Sequence, residues 1–164
     1  MEISEKVVLL VEDNDDDRDL TLRSFEKHGI ANKIVVARNG VEALDYLFCR
    51  GAYAGRKIEE TPALILLDLK LPKVDGLEVL REIRSNPYTK RTPVVMLTSS
   101  GEEKDKIDSY DLGANSYVRK PVDFDRLLEV TRQLGLYWLV MNEPPPLKTS
   151  VNAATRRQRQ SGKV

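Results

Sequence analysis

Short apolar runs in this 164-residue sequence are followed at once by residues able to do chemistry. The run at 7–11 leads into Glu12-Asp13, that at 63–67 into Asp68, that at 94–97 into Thr98-Ser99-Ser100, and a weaker one at 116–118 into Arg119-Lys120-Pro121. Brought to one edge, these make a set of three carboxylates, a hydroxyl and an ammonium. Crowded carboxylates repel one another unless a cation sits among them. Hard oxygen ligands without His or Cys favour magnesium, with manganese the other ion that suits them, over zinc. Magnesium keeps several waters and binds through one or two carboxylates plus phosphate oxygens, so the set reads as a place where a phosphoryl group is handled. There Lys120 would set positive charge against the phosphoryl oxygens, and the Thr98 hydroxyl could hydrogen-bond one of them.

The apolar runs, with a further one at 34–37, are continuous rather than alternating, as suits parallel strands covered on both faces. Between them lie stretches with helical spacing: Leu22 and Phe25; Val41, Leu44, Leu47 and Phe48; Leu77, Leu80 and Ile83; Phe124, Leu127 and Leu128. Residues 102–112 are polar, with only Ile107, Tyr110 and Leu112 apolar, and make the weakest helix. Strand and helix alternate five times, which predicts an α/β doubly wound (βα)5 parallel sheet with right-handed crossovers. In such sheets the functional crevice lies at the carboxyl ends of the strands, where the chemically capable residues stand. Residues 50–62, with Gly51 and Gly55, read as a long loop.

Composition narrows the alternatives. Hydrophobic residues make up 41% of the chain, which fits a globular protein. The apolar runs are too short to span a bilayer and the acidic, polar start is no signal peptide, so a cytoplasmic protein without membrane attachment is expected. One cysteine, Cys49, and one histidine, His28, exclude an intrachain disulfide and a Cys- or His-rich metal cluster.

The segments Leu9-Leu10-Val11-Glu12-Asp13-Asn14, Leu66-Leu67-Asp68-Leu69-Lys70-Leu71-Pro72-Lys73-Val74-Asp75-Gly76, Thr98-Ser99-Ser100, Gly113-Ala114 and Tyr117-Val118-Arg119-Lys120-Pro121 together resemble the CheY-like receiver domain of bacterial response regulators, over residues 5 to about 135. The long loop and the ending 137–145 are similar to stand-alone regulators that serve phytochrome-type histidine kinases. The resemblance implies a flavodoxin-like five-stranded sheet in the order 2-1-3-4-5 and a two-component phosphorelay in which a histidine kinase phosphorylates Asp68. It implies magnesium held by Asp13, Asp68 and the Lys70 backbone carbonyl, with Glu12 in the outer shell or acting through water. Lys120 would pair with phosphoryl oxygens, and its bond to Pro121 is expected to be cis. Thr98 and Tyr117 would form the switch, the hydroxyl moving towards the phosphoryl group and the aromatic ring turning into the vacated space. Lys70 and Ser100 stand at positions that tune hydrolysis in this family. Neither orients an attacking water well, so a long-lived phosphoryl group is expected.

Nothing recognisable as an output domain follows, so the output would be the receiver surface, through dimerisation or a partner. Residues 134–141 are apolar nearly all round, whereas a helix on a sheet needs only one apolar stripe. A symmetric homodimer through this extension is expected, with Leu134, Tyr137, Trp138 and Met141 at the interface. The division expected is a receiver with an extended last helix over 1–142 and a flexible basic tail from 143 to 164, opened by Pro144-Pro145-Pro146. Two other readings of the carboxylate set remain: a small-molecule phosphatase or phosphotransferase, and a scaffold pseudo-receiver that is never phosphorylated. The formal net charge of zero is a cancellation: residues 1–146 hold 21 bases against 26 acids, and 147–164 hold five bases and no acid. A short basic segment more often solubilises than binds nucleic acid, which is not an expected partner.

Overall fold

A computed structural model describes residues 6–28 and 33–146. Strands β1 (Val7–Val11), β2 (Lys33–Ala37), β3 (Leu64–Leu67), β4 (Val94–Thr98) and β5 (Ser116–Arg119) alternate with helices α1 (Asp15–His28), α2 (Gly40–Leu47), α3 (Gly76–Ser85), α4 (Glu103–Asp111) and α5 (Phe124–Gly135). The strands form one parallel sheet in the order β2-β1-β3-β4-β5. This is the doubly wound flavodoxin-like fold expected from the alternation and the resemblance.

The continuity of the apolar runs has its cause in two cores, one on each face. Leu9, Val11, Ile65, Leu67, Val94 and Met96 turn to one side and pack with Ala43, Leu44, Leu47, Val79, Leu80 and Ile83 of α2 and α3. Val8, Leu10, Leu64, Leu66 and Val95 turn to the other, against Phe25 of α1 and Leu139. Every residue of β3 and β4 is buried. Side-chain caps fix helix starts: Asn39 accepts from the Glu42 amide, Asp75 from Gly76 and Asp123 from Arg126.

The last helix departs from expectation. After Gly135 the backbone widens into a π-helical stretch, Leu136–Met141, closed by the Asn142 amide donating to the Tyr137 carbonyl at 2.7 Å. Leu139 is buried in the second core, Leu134 and Trp138 pack beside it, and the Lys6 ammonium donates to the Leu139 carbonyl. The all-round apolar character therefore reflects, in part, a segment seated on the chain's own sheet. The loop at 50–62 is also more ordered than its composition implies, with a 3-10 turn at Gly51–Tyr53. Arg56 lies over the Tyr46 ring at 3.9 Å and donates to the Tyr46 carbonyl, while Tyr53 packs edge-on against Tyr46. The basic residues of the expected tail lie outside the described residues.

Candidate functional site

Parallel pairing continues past the strands and delivers the site residues to one edge. The Glu12 amide donates to the Ala37 carbonyl (3.0 Å), Asp68 to Val11 (3.1 Å) and Lys120 to Thr98 (2.7 Å). Each of these side chains thus leaves the carboxyl end of a strand where the two cores stop. Gly76 shapes the floor: a Cβ there would collide with the backbone carbonyls of Asp68 and Leu69, and its amide donates to Leu69 at 2.8 Å. Only glycine lets α3 begin this close beneath the end of β3.

Lys120 is the hub. Its Nζ lies 2.5 Å from Glu12 Oε2, 3.0 Å from Asp17 Oδ2 and 3.1 Å from Asp68 Oδ2. Burial opposes a charged lysine, but the carboxylates of Asp68, Glu12 and Asp17 outweigh it and hold the ammonium above its usual range. For Glu12 the balance goes the other way: burial pushes its carboxyl up to about 7, against the pull of Lys120. Its second oxygen accepts from the Asn14 amide at 3.1 Å.

Glu12, Asp13 and Asp68 each bring a carboxylate oxygen within 4.8 Å of the others, Glu12 and Asp68 buried and Asp13 exposed. An all-oxygen set with excess negative charge fits a hard divalent cation. These residues, with Asn14, Asp17, Lys70, Thr98, Ser99, Ser100 and Lys120, line an open depression of about 450 Å³. Every residue expected at the metal and phosphoryl positions is therefore in one crevice.

Of the two residues expected to form a switch, Thr98 lines the crevice and Tyr117 reaches Ser100 beside it. Thr98 is buried, and its Oγ1 accepts from the Ser100 amide at 3.3 Å. Tyr117 packs against the first core, and its hydroxyl donates to the Ser100 carbonyl at 2.9 Å. Ser100 Oγ donates to Asp105 Oδ2 at 2.5 Å, which ties the crevice to the first turn of α4.

One expectation needs correction. The Lys120–Pro121 bond is trans, like every peptide bond among the described residues. Trans is the lower-energy isomer before proline, and the trans chain already brings the Lys120 amide onto Thr98 and its ammonium onto Asp68. Of the residues expected at a dimer interface, Tyr137 and Met141 are exposed, while Leu134 and Trp138 are half-buried against the second core. One residue that sequence reasoning did not single out, Asp17, joins the site. Its signal was present, an acid four residues beyond Asp13 in the first turn of a helix, but it stood in a string of similar aspartates.

The fold and crevice first define a class: doubly wound α/β proteins with an acidic, lysine-bridged, cation-suited site at the carboxyl edge of the sheet. Within that class the chain belongs to the response regulator receiver domain family, whose model matches residues 8–132. It is 41% identical over 134 residues to response regulator Rcp1 of Synechocystis sp., covering 82% of this chain and 89% of Rcp1. The crystal structure of the Mn(2+)-bound form of Rcp1 matches with a TM-score of 0.80 at 40% identity, over 86% of this chain and 99% of that one. The phosphorylated cyanobacterial phytochrome response regulator RcpA matches with a TM-score of 0.81 at 40% identity, over 87% of this chain and all of that one. The bacteriophytochrome response regulator AtBRR is 51% identical, with a TM-score of 0.67 over 85% of this chain and 99% of that one. Among the described residues no helix is long and apolar enough to cross a membrane.

Proposed function

We propose that this receiver works as a stand-alone cytoplasmic regulator that accepts a phosphoryl group on Asp68 from a phytochrome-type histidine kinase, with Mg2+ as cofactor. The observation that carries the reading is the Asp68 carboxylate, buried at a strand end, 3.1 Å from the Lys120 ammonium and grouped with Glu12 and Asp13. The similarity to RcpA and AtBRR supports the phytochrome-type partner, and the Mn(2+)-bound form of Rcp1 supports a divalent ion.

In the transfer, a carboxylate oxygen of Asp68 attacks the phosphorus of a phosphohistidine. A P–O bond forms as the P–N bond breaks, and the imidazole nitrogen leaves with the bonding pair. Glu12, Asp13, Asp68 and the Lys70 carbonyl would hold the cation, Glu12 directly or through water, and the bound cation supplies charge neutralisation at the phosphoryl oxygens. Lys120 donates to a phosphoryl oxygen, and Thr98 moves to offer its hydroxyl to another. Tyr117 then turns with the freed space, so a local charge change biases the surface formed by α4, β5 and α5. The same groups support later hydrolysis of the aspartyl phosphate.

A second copy of the chain is the proposed partner for the extension of the last helix, with Leu134, Tyr137, Trp138 and Met141 at the interface, Tyr137 and Met141 being exposed. Light scattering at micromolar concentration should show a dimer, and monomer alone with and without phosphorylation refutes that part.

The functional test is phosphotransfer from a labelled, autophosphorylated bacteriophytochrome kinase in Mg2+. Label should move to the wild-type chain and not to Asp68→Asn; equal labelling of both overturns the assignment.

A further inference from the structure

The Lys120 ammonium has three N–H donors, and each already has a carboxylate: Glu12 at 2.5 Å, Asp17 at 3.0 Å and Asp68 at 3.1 Å. A phosphoryl oxygen arriving at Asp68 must displace one of them to be held by Lys120. The Glu12 and Asp68 side chains are only 4% and 10% exposed, so until an Asp68 oxygen bonds phosphorus a carboxylate abandoned at either place loses a partner that water cannot replace. The Asp17 side chain is 31% exposed and can return to water. Its bond is the one that can yield at least cost.

Local structure holds Asp17 in place for this. The Asn14 side chain caps α1 by accepting from the Asp17 amide at 3.0 Å, and the Asp17 carbonyl accepts from Thr21 Oγ1 at 2.9 Å. The first turn of α1 is thereby fixed with the Asp17 carboxylate over the crevice. Glu12 and Asp68 also bond the ammonium at the ends of β1 and β3, so Asp17 is the third partner of a lysine already paired beside the acceptor. What that bond does is occupy the donor.

We propose that Asp17 is a positioning residue acting through Lys120: it holds the ammonium's third N–H in the unphosphorylated protein and cedes it to the incoming phosphoryl oxygen, slowing the phosphorylation of Asp68. This rests on the reading of Asp68 as the acceptor. Asp17 is not a ligand in the cation set, so its removal should change the rate even when the cation site is saturated.

The test follows phosphorylation of the full chain by acetyl phosphate at saturating Mg2+, with intact-mass spectrometry, for wild type, Asp17→Asn and Asp17→Ala. Losing a competing hydrogen bond to a charged acceptor should raise the rate of the alanine variant by roughly three- to tenfold. The asparagine variant, whose amide oxygen is a weaker acceptor in the same place, should fall between it and wild type. Mn2+ affinity is measured on the same proteins, because Asp17 reaches the cation set through Lys120 and the rates must be compared at equal cation occupancy. An alanine variant no faster than wild type overturns the proposal, as does asparagine matching alanine, which would assign the effect to charge alone. A rate gain that disappears when the proteins are compared at equal cation occupancy overturns it too. A wild-type chain that takes no phosphoryl group sinks the functional reading itself, whereas a labelled wild type with a rate indifferent to Asp17 sinks only this inference.

Discussion

Replacing Lys120 by Met removes the ammonium while keeping most of the apolar stem, and its cost follows from the neighbours left behind. Glu12 and Asp68 are buried carboxylates, and Asp17 and Asp13 stand beside them. Breaking a buried ionic network by removing one partner costs about 3–5 kcal/mol. Part is recovered here, since Glu12, already pushed up to about 7 by burial, can take a proton once Lys120 is gone. A net loss of about 2–3 kcal/mol lowers the melting temperature of a chain this size by roughly 5–10 °C, at about 2–4 °C per kcal/mol. The assay is thermal unfolding in EDTA and again in MnCl2. The ammonium and a divalent ion neutralise the same carboxylates, so they compete, and the variant should gain more from Mn2+ than wild type does. For scale, an ion at 100 times its Kd adds about 2.7 kcal/mol. A variant that melts within about 2 °C of wild type in EDTA would be far below the cost of an abandoned buried charge and would refute the hub role of Lys120.

Three further outcomes are expected. Asp13→Asn should abolish most of the Mn2+-dependent rise in melting temperature, because it removes the exposed member of the cation set; an undiminished rise would remove Asp13 from that set. Gly76→Val should lower stability by about 2 kcal/mol or more through the collision with the carbonyls of Asp68 and Leu69, and should slow phosphorylation by displacing Asp68, read by denaturant unfolding and mass spectrometry together. Aspartyl phosphate on this chain should persist well beyond seconds in Mg2+ buffer without a phosphatase, because Lys70 offers no carboxylate or amide and the Ser100 hydroxyl is committed to Asp105; loss of label within seconds would show that another group orients water.

The parts of this architecture that were legible in the sequence are those set by local pattern. β3 reads as a buried strand because Leu64, Ile65, Leu66 and Leu67 each face a core on one side of the sheet or the other. The crevice residues were legible because a parallel α/β sheet sends whatever follows each strand to the same edge. What escaped depends on contacts between distant segments. α4 was legible only as the weakest helix, since Ser109 alone among its residues is buried and periodicity has little apolar stripe to show. The burial of Leu139 follows from the π-helical widening after Gly135 and from Lys6 at the far end of the chain, neither of which leaves a local mark. Asp17 was hidden among Asp15, Asp16 and Asp19, and only the cap at Asn14 and the position of Lys120 just past β5, three places away from β1 in the sheet, select it. The order of loop 50–62 likewise comes from the Arg56 guanidinium meeting Tyr46, a pairing that composition cannot reveal.

The central claim is that Asp68 is the phosphoacceptor. Its most direct measurement is incubation with acetyl phosphate and Mg2+, followed by mass spectrometry of the intact chain and of its peptides, for wild type and Asp68→Asn. The account predicts one added phosphoryl group on wild type, carried by the peptide containing Asp68, and none on the variant. A stable single phosphoryl group on both proteins would contradict it.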